Sequence, residues 1–535
     1  MTTHTDRYQR LRWWGLGAIS LGVALIIMDA TIVAVATPDI VTSLGLSTTQ
    51  VQWIQEVYTL VFAALLMVWG VMSDRLGRRR ILVIGLVIFI SSSALCAFAP
   101  SGEWLIAARG IQGLGGSMIL PTTLALLNAT FRGSDRNIAF AAWGATIGSM
   151  AAVGPVLGGW LTSALSWHWA FWINVPLGIL VIVGVLLLVA ESKQHETGRF
   201  TDWIGALASV VGFGLLVFGM IEGRTFGWWL AEDGAALRLG EFSIIPVVFV
   251  LALIVLTALV LRERARIKVG RSVLLDISLF RIPSFANGNV TALTVSLGEF
   301  GLILSLPLWF QYVGGMNALQ AGLSLLPLAI GSFVASAAVH PLSRYLTPVR
   351  LVRLGIGLEI VALGVMALLI RPDSTVWVTG VPLFVYGMGV GFATAQLTQL
   401  ILRDVPVEQS GQASSTQSTA RQVGSALGIA ILGTALFTTL RAGTEARLTE
   451  QLAADPSIGS LIKQVSDSAG ALIAQLAARP DTVAIADAAR QALTDGVAVA
   501  AWVAVGALVL GLLSTLPLDR GRRPRHATPR RMAAP

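Results

Sequence analysis

Charge is scarce in this chain. Only 12% of its 535 residues are Asp, Glu, Lys or Arg, about half the fraction carried by a typical soluble protein. Cys96 is the single cysteine, which excludes an intramolecular disulfide and a cysteine-rich metal site. The five histidines, His4, His168, His195, His340 and His526, fall in tails, in loops or at the ends of apolar runs. The runs therefore hold no His, Cys or Ser constellation of the kind a catalytic site needs. Nucleotide-binding motifs are also missing, which speaks against drive by ATP. What the chain has is apolar residues, 55% of the total, gathered in long blocks, and a mean hydropathy of +0.75. It reads as a polytopic membrane protein. The net charge of +8 and the pI near 10.3 do not imply nucleic-acid binding, because the basic residues form no continuous face; they sit in short loops and in the tails.

A helix that crosses the hydrocarbon core needs about 20 mainly apolar residues. Fourteen segments qualify, at approximately 13–37, 51–72, 81–99, 104–128, 138–164, 169–190, 203–221, 242–261, 285–312, 319–341, 351–370, 376–402, 411–437 and 497–518. The first is too long for a cleaved signal peptide and is expected to be an uncleaved helix behind a polar tail, 1–12. An even count puts both termini on one side. With both inside, 27 of the 37 Lys and Arg are cytoplasmic and eight are outside, while Arg109 and Arg421 lie within spans. Five of the outside eight fall in one long loop, where the positive-inside bias is weakly enforced. The reverse topology is thereby disfavoured.

Spans 2 and 3 are joined by Gly70-Val71-Met72-Ser73-Asp74-Arg75-Leu76-Gly77-Arg78-Arg79-Arg80. So short a connection permits only a tight reversal, and its arginines place it on the cytoplasmic face. Asp74 can accept from these arginines or cap the start of a neighbouring helix, while Gly70 and Gly77 allow close approach and the turn. The pattern Gly-x-x-x-Asp-Arg-x-Gly-Arg-Arg resembles the signature loop of the major facilitator superfamily of secondary transporters. The resemblance implies a latch of Gly70, Asp74, Arg75, Gly77, Arg78 and Arg79 that holds cytoplasmic helix ends together when the protein is open to the outside. A faded copy stands at Pro341-Leu342-Ser343-Arg344-Tyr345-Leu346-Thr347-Pro348-Val349-Arg350.

The expected fold is all-α and integral to the membrane: a cytoplasmic tail at 1–12, a six-helix bundle at 13–190, a linker with two extra helices at 191–284, a second six-helix bundle at 285–518 with an extracytoplasmic insert at about 440–496, and a basic tail at 519–535. The insert is Ala-rich and reads as one or two amphipathic helices. Fourteen spans rather than twelve point, within that superfamily, to the fourteen-helix drug:proton antiporters.

A charge inside the membrane costs several kcal/mol and is a functional candidate by default. Asp29 lies about 12 Å below the outer surface at 1.5 Å per residue, and Arg109 about 8 Å. Similar depths make a pair: the arginine would hold the aspartate ionised, and protonation would release it. The plainer alternative is a static ion pair that locks helices together. Both neighbourhoods extend the resemblance. Leu25-Ile26-Ile27-Met28-Asp29-Ala30-Thr31-Ile32-Val33-Ala34-Val35-Ala36-Thr37-Pro38 is similar to the first-helix motif of the fourteen-helix exporters, with Ala34 and Thr37 where the family usually has Asn and Leu. Leu105-Ile106-Ala107-Ala108-Arg109-Gly110-Ile111-Gln112 is similar to their fourth-helix motif, whose arginine the family implicates in proton coupling. Gly154-Pro155-Val156-Leu157-Gly158-Gly159 resembles the Gly-Pro-x-x-Gly-Gly antiporter motif; ordinary small-residue packing is the alternative. Its continuation, Ser166-Trp167-His168-Trp169-Ala170-Phe171-Trp172-Ile173-Asn174-Val175-Pro176, also fits the exporters.

Glu299, mid-span, is the candidate for meeting a lipophilic cation or for a second proton, the alternative being a neutral hydrogen-bonded acid. Glu56 and Glu359 are weaker candidates, explained by snorkelling or interfacial hydration. Arg421 has the reach of a carboxylate partner. Gln112, Tyr58, Trp143, Trp309 and Arg421, with Glu299, are the candidates for a substrate cavity; Trp53 and Phe310 are further aromatics that could stack on a planar drug.

The expected function is proton-coupled efflux of hydrophobic, often cationic, small molecules across the plasma membrane by alternating access. No enzymatic activity, metal or cofactor is expected, the drive being a proton gradient, and the partners are substrate, protons and lipid, with a monomer as the functional unit. Export of a dedicated metabolite, lipid or self-made antibiotic is the second reading. A membrane enzyme or sensor is the third, and lacks a segment long enough for a folded catalytic domain.

Overall fold

Inside hydrocarbon a backbone has no water to bond, so each spanning segment must satisfy its own N–H and C=O groups, and the helix does this without partners. The computed structural model describes residues 2–519 apart from 47, 194–201, 232–237, 270, 272, 407–408, 450–454, 456 and 469. The basic tail 520–535 and much of the linker start therefore lie outside the described residues. The first half holds α1 (Thr2–Leu44), α2 (Thr48–Leu76), α3 (Arg78–Ala97), α4 (Gly102–Thr130), α5 (Gly133–Ala164), α6 (Trp169–Trp172) and α7 (Asn174–Leu188). Two linker helices follow, α8 (Trp203–Phe226) and α9 (Ile245–Lys268), with a two-residue hairpin, Arg238–Leu239 against Phe242–Ser243, between them. The second half holds α10 (Pro283–Tyr312), α11 (Ala318–Ser324), α12 (Leu326–Leu342), α13 (Pro348–Leu369), α14 (Val376–Leu402), α15 (Ser410–Arg447), α16 (Ser457–Asp467), α17 (Ile473–Ala477) and α18 (Val483–Ser514).

Among the described residues twelve stretches are long and apolar enough to cross a membrane, with α6–α7 and α11–α12 each counted as one. The fourteen crossings expected from sequence thus stand at twelve by this measure. The other two expected segments form α5 and α10, of 32 and 30 residues, which are not among these twelve.

The halves repeat one packing scheme. In the first, α1 packs on α5 and α7, α4 on α2 and α3, and α3 on α7. In the second, α10 packs on α15 and α18, α14 on α12 and α13, and α13 on α18. Each contact in one half has its counterpart in the other. The halves then meet reciprocally, second helix against fifth: α2 on α15, and α5 on α12. The linker helices pair with each other outside this core, and α8 leans on α2 and α15. Burial follows the scheme, since 78% of the α4 span is enclosed against 22% of the α9 span. Asp202 caps α8 and is held by Arg262 and Arg266 of α9, which clamps the linker pair at one end.

The α3–α4 and α13–α14 contacts are made by facing glycines. A β-carbon on Gly115 would lie 2.7 Å from the Phe89 nitrogen and 2.8 Å from the Gly85 oxygen. One on Gly389 would lie 2.6 Å from the Gly355 oxygen and 2.9 Å from the Glu359 nitrogen. Backbones this close gain dispersion contact that no larger residue permits. α15 outruns the membrane: its 38 residues reach about 57 Å at 1.5 Å per residue. The projecting ends of α15 and α18 are joined by Arg447, which donates to Asp495 at 2.5 Å and to Gln491 at 3.2 Å. α16 packs on α15 and α17 on α18, so the insert is built on long helices that continue out of the core. The N-terminal tail is likewise continuous with its helix, since α1 begins at Thr2.

Gly115→Leu is expected to destabilise the protein by about 2 kcal/mol or more, because a close-packed interface cannot absorb the added volume. Gly389→Leu should do the same from the other half, whereas Gly357→Leu, which would meet nothing within 4 Å, should be neutral. Thermal unfolding of detergent-solubilised protein measures all three.

Candidate functional site

Arg109 and Gln112 are three residues apart on α4 and so share one face. Across from them, on α1, stands Asp29, with no exposed surface. Its Oδ2 accepts from Arg109 Nη1 at 2.5 Å, and its Oδ1 accepts from Gln112 Nε2 at 2.8 Å and from Asn174 Nδ2 at 2.7 Å. Arg109 Nη1 also donates to Gln112 Oε1 at 2.6 Å, and Nε to the Ile54 carbonyl at 3.2 Å. Its guanidinium lies 4.3 Å from the centre of the Tyr58 ring, a cation–π contact in a dry setting. Asn174 Nδ2 donates to Ser93 Oγ at 2.9 Å, and Ser93 Oγ to the Phe171 carbonyl at 2.9 Å. The two candidates Asp29 and Arg109 are thus brought together, along with Gln112 and Tyr58, at a junction of α1, α2, α3, α4 and the α6–α7 pair. Sequence reasoning missed Asn174 and Ser93. The available signal was, for Asn174, an amide next to an apolar run inside a motif already matched to the exporters, and for Ser93 none.

A second constellation lies at the α2–α3 reversal. Asp74 Oδ1 accepts from Arg78 Nε at 2.9 Å and Nη2 at 2.7 Å. The same carboxylate accepts from the backbone nitrogens of Gly411 at 2.8 Å and Gln412 at 3.2 Å. These are free N–H groups at the start of α15, where the helix dipole favours an anion. Asp74 therefore caps a helix of the opposite half. Gly70 makes the approach feasible, since a β-carbon there would overlap Ser415. Beside it, Asn128 Nδ2 of α4 donates to Ser410 Oγ at 2.7 Å. The arginines divide between partners: Arg78 Nη1 donates to Ser192 Oγ at 2.9 Å and Arg79 Nη1 to the Val189 carbonyl at 3.1 Å, beyond the end of α7. Glu191 takes the backbone nitrogens of Arg79 and Arg80 at 3.0 and 3.1 Å, capping α3. Gly77 turns with φ 112°, a conformation that favours glycine, and Arg75 is half-buried in the last turn of α2. The copied loop at 341–350 has no acid at the matching place. Near it, Asp404 faces Arg136 of α5. Burial works to raise the Asp404 carboxyl, but Arg403 and Ser284 outweigh it and hold the group below the usual carboxylate range.

The antiporter-like motif faces two ways. Gly154 and Gly158 abut α1, a β-carbon on Gly158 falling 3.2 Å from the Ile32 Cα. Gly159 abuts the other half, 3.1 Å from the Leu319 Cα, and Gly322 of α11 returns the contact to the Pro155 backbone at 3.1 Å. The helix runs on through Pro155.

In the second half Glu299 is buried, and accepts from Arg421 Nη2 at 3.4 Å and from Thr394 Oγ1 at 3.4 Å. Glu359 corrects an expectation: far from snorkelling to an interface, it has no exposed surface, and among the described residues neither carboxyl oxygen has a hydrogen-bond partner. Its side chain lies against Gly389 of α14. Glu56 is half-buried near the start of α2. The aromatic candidates disperse. Trp143 is buried and donates to Thr123 at 3.4 Å, inside the first half. Trp53 rests against Phe218 of α8. Trp309 donates to Thr494 Oγ1 at 2.9 Å and with Phe310, Met316, Asp373 and Thr379 lines a cavity of about 230 Å³ near the end of α10. Of the cavity candidates, Glu299 and Arg421 alone are paired, while Gln112 and Tyr58 belong to the Asp29 cluster.

Residues 19–429 match the family model of the Major Facilitator Superfamily. The chain is 34% identical to the multidrug efflux pump LfrA of Mycolicibacterium smegmatis, over 94% of this chain and 95% of that protein. It is 33% identical to the probable actinorhodin transporter of Streptomyces coelicolor, over 80% of this chain and 72% of that protein. Among solved structures, that of the human organic anion transporter MFSD10 superposes with a TM-score of 0.59 at 13% identity, covering 94% of this chain and 99% of that one. The last likeness bears on the fold alone.

Two outcomes follow from the geometry. Asp29→Asn leaves Arg109 buried without its counter-charge, and should cost about 3 kcal/mol or more; adding Arg109→Gln should recover most of that loss, measured by thermal unfolding of the single and double variants. In a Cys96→Ala background, cysteines at Asn128 and Ser410 should be joined by a short bis-thiol reagent, seen by gel mobility, and Asp74→Asn should slow the cross-linking several-fold by loosening the cap on α15.

Proposed function

The chain belongs to the Major Facilitator Superfamily, and on that premise we propose that it exports hydrophobic, often cationic, drugs or toxic small molecules in exchange for protons. The observation that carries this is the buried Asp29–Arg109 pair, set in a chain similar to a multidrug efflux pump along nearly its whole length. An ion pair in low dielectric is a bistable element: ionised, the aspartate holds Arg109, Gln112 and Asn174, and so four other helices, against α1. A proton delivered from outside neutralises the carboxylate and frees the guanidinium. That change in tie strength would bias the rocking of the two bundles.

In this account the Asp74 end is cytoplasmic, together with both termini, and the protein lies in the plasma membrane. α5 and α10 also cross, giving fourteen helices divided as six at 13–190, two within 191–284 and six at 285–518. Asp74, Gly70, Gly77 and the arginines form the cytoplasmic latch, and Gly154, Pro155, Gly158 and Gly159 the opposing hinge. Substrate meets Glu299 and Arg421 between the halves. Drive comes from the proton gradient with no cofactor, no bond of the substrate is broken, and a monomer suffices. A second reading, export of one endogenous metabolite or antibiotic, draws support from the similarity to the probable actinorhodin transporter.

Ethidium efflux from energised cells or everted vesicles tests the proposal. Wild type is expected to expel the dye until a protonophore collapses the gradient, and Asp29→Asn to lose at least ten-fold in rate, the loss of about 1.4 kcal/mol in transition-state or coupling energy. Efflux indifferent to the protonophore would overturn proton coupling. Coupled efflux of normal rate in Asp29→Asn would move the proton site elsewhere.

A further inference from the structure

The polar clusters buried in the two halves differ in charge. The Asp29 cluster holds one carboxylate and one guanidinium, bonded directly. Away from the helix ends, the spans of the second half carry Glu299, Glu359 and Arg421, two acids for one base. Arg421 is committed to Glu299. Among the described residues Glu359 finds no hydrogen-bond partner for either oxygen, in a fully enclosed position. Among the described residues, the charges that act on it are those of Glu299 from α10 and Arg421 from α15, and the buried Tyr386 of α14 is within electrostatic reach of both acids. A buried carboxylate with no donor and no cation of its own is strongly unfavourable. Charge balance is met if the three groups hold one negative charge, one positive charge and one proton.

The backbone geometry makes the position specific. Gly355 and Gly389 form the α13–α14 contact as Gly85 and Gly115 form the α3–α4 contact. Four residues past each first glycine, against the second, stand Glu359 and Phe89. The second half thus carries an acid where its duplicate carries a phenyl ring. Packing alone is satisfied by the ring.

We propose that Glu299 and Glu359 share a single proton against Arg421, with Glu359 as its resting place, and that entry of a monovalent organic cation expels that proton. The O–H bond of the Glu359 carboxyl breaks heterolytically, the proton leaves to water, and the carboxylate left behind balances the incoming cation. The charge of the cluster is zero before and after. The exchange is one proton for one cation. Because the acids are coupled, the proton belongs to the pair. This rests on the exporter reading in one respect, that the cargo includes cations.

Infrared spectroscopy and proton counting on the full-length purified protein test it, with tetraphenylphosphonium as the probe. At neutral pH wild type should show the C=O stretch of a protonated carboxylic acid that is lost in Glu359→Gln. It should be lost equally in Glu299→Gln, where the remaining acid ionises against the freed Arg421; a neutral acid of merely structural role would keep its band in that variant. In weak buffer with an indicator dye, wild type should release about one proton per bound cation, and Glu359→Gln none. Retention of the band in Glu299→Gln, or undiminished release from Glu359→Gln, would overturn the shared proton. If wild type binds no cation, the exchange is overturned together with the cationic cargo, while the infrared result still decides where the proton rests.

Discussion

An ion placed in hydrocarbon without a counter-charge is more expensive than almost any other local defect, and the arrangement of this protein follows from meeting that cost in three different ways. Asp29 is met in full, by a guanidinium and two amides at 2.5 to 2.8 Å. Asp74 is met by a neighbouring arginine and by the open N-terminus of a helix from the other half. Glu359 is met by no donor among the described residues. A carboxylate that is fully matched ties helices together. One matched across the halves reports their closure. An unmatched one demands a proton. These are the elements a proton-driven conformational cycle requires.

The two halves solve packing identically and chemistry differently. Facing glycines bring α3 to α4 and α13 to α14 at backbone contact, and the same partners recur around them. On this common frame the first half buries a compact, well-bonded cluster. The second buries a loosely bonded one, its Glu299 contacts both at 3.4 Å. Looser bonding fits a site whose partner changes during a cycle, and a tight one fits a switch with two definite states. The duplicated loop at 341–350 carries no acid, so the Asp74 cap has no counterpart within it, and Asp404 and Arg136 interact near that end of α5.

Much of this was legible in the sequence. Long apolar blocks gave the helices, the arginine-rich reversal gave the family resemblance, and charges within spans gave Asp29, Arg109, Glu299 and Arg421, since a charge at membrane depth stands out in one dimension. Partners did not stand out. Asn174 and Ser93 are polar but uncharged, and nothing in the order of residues says that they converge on Asp29 from α7 and α3. The partner of Asp74 lies 337 residues away and is backbone, which carries no sequence signal. Glu359 was misjudged because depth along a span says nothing of which neighbour encloses the side chain. Only the Gly389 contact reveals that. The aromatics stood out without their partners: Trp143 is bonded to Thr123 and Trp309 to Thr494, each within its own half.

Substrate-induced collapse of a pH gradient tests the central claim, that cargo and protons exchange, most directly. In everted vesicles energised to an acid interior and reported by a quenched amine dye, addition of ethidium or tetraphenylphosphonium should dequench the dye as protons leave in exchange for entering cation. Dequenching should be absent in vesicles carrying Asp29→Asn. Cation uptake with no movement of the pH gradient would contradict the account.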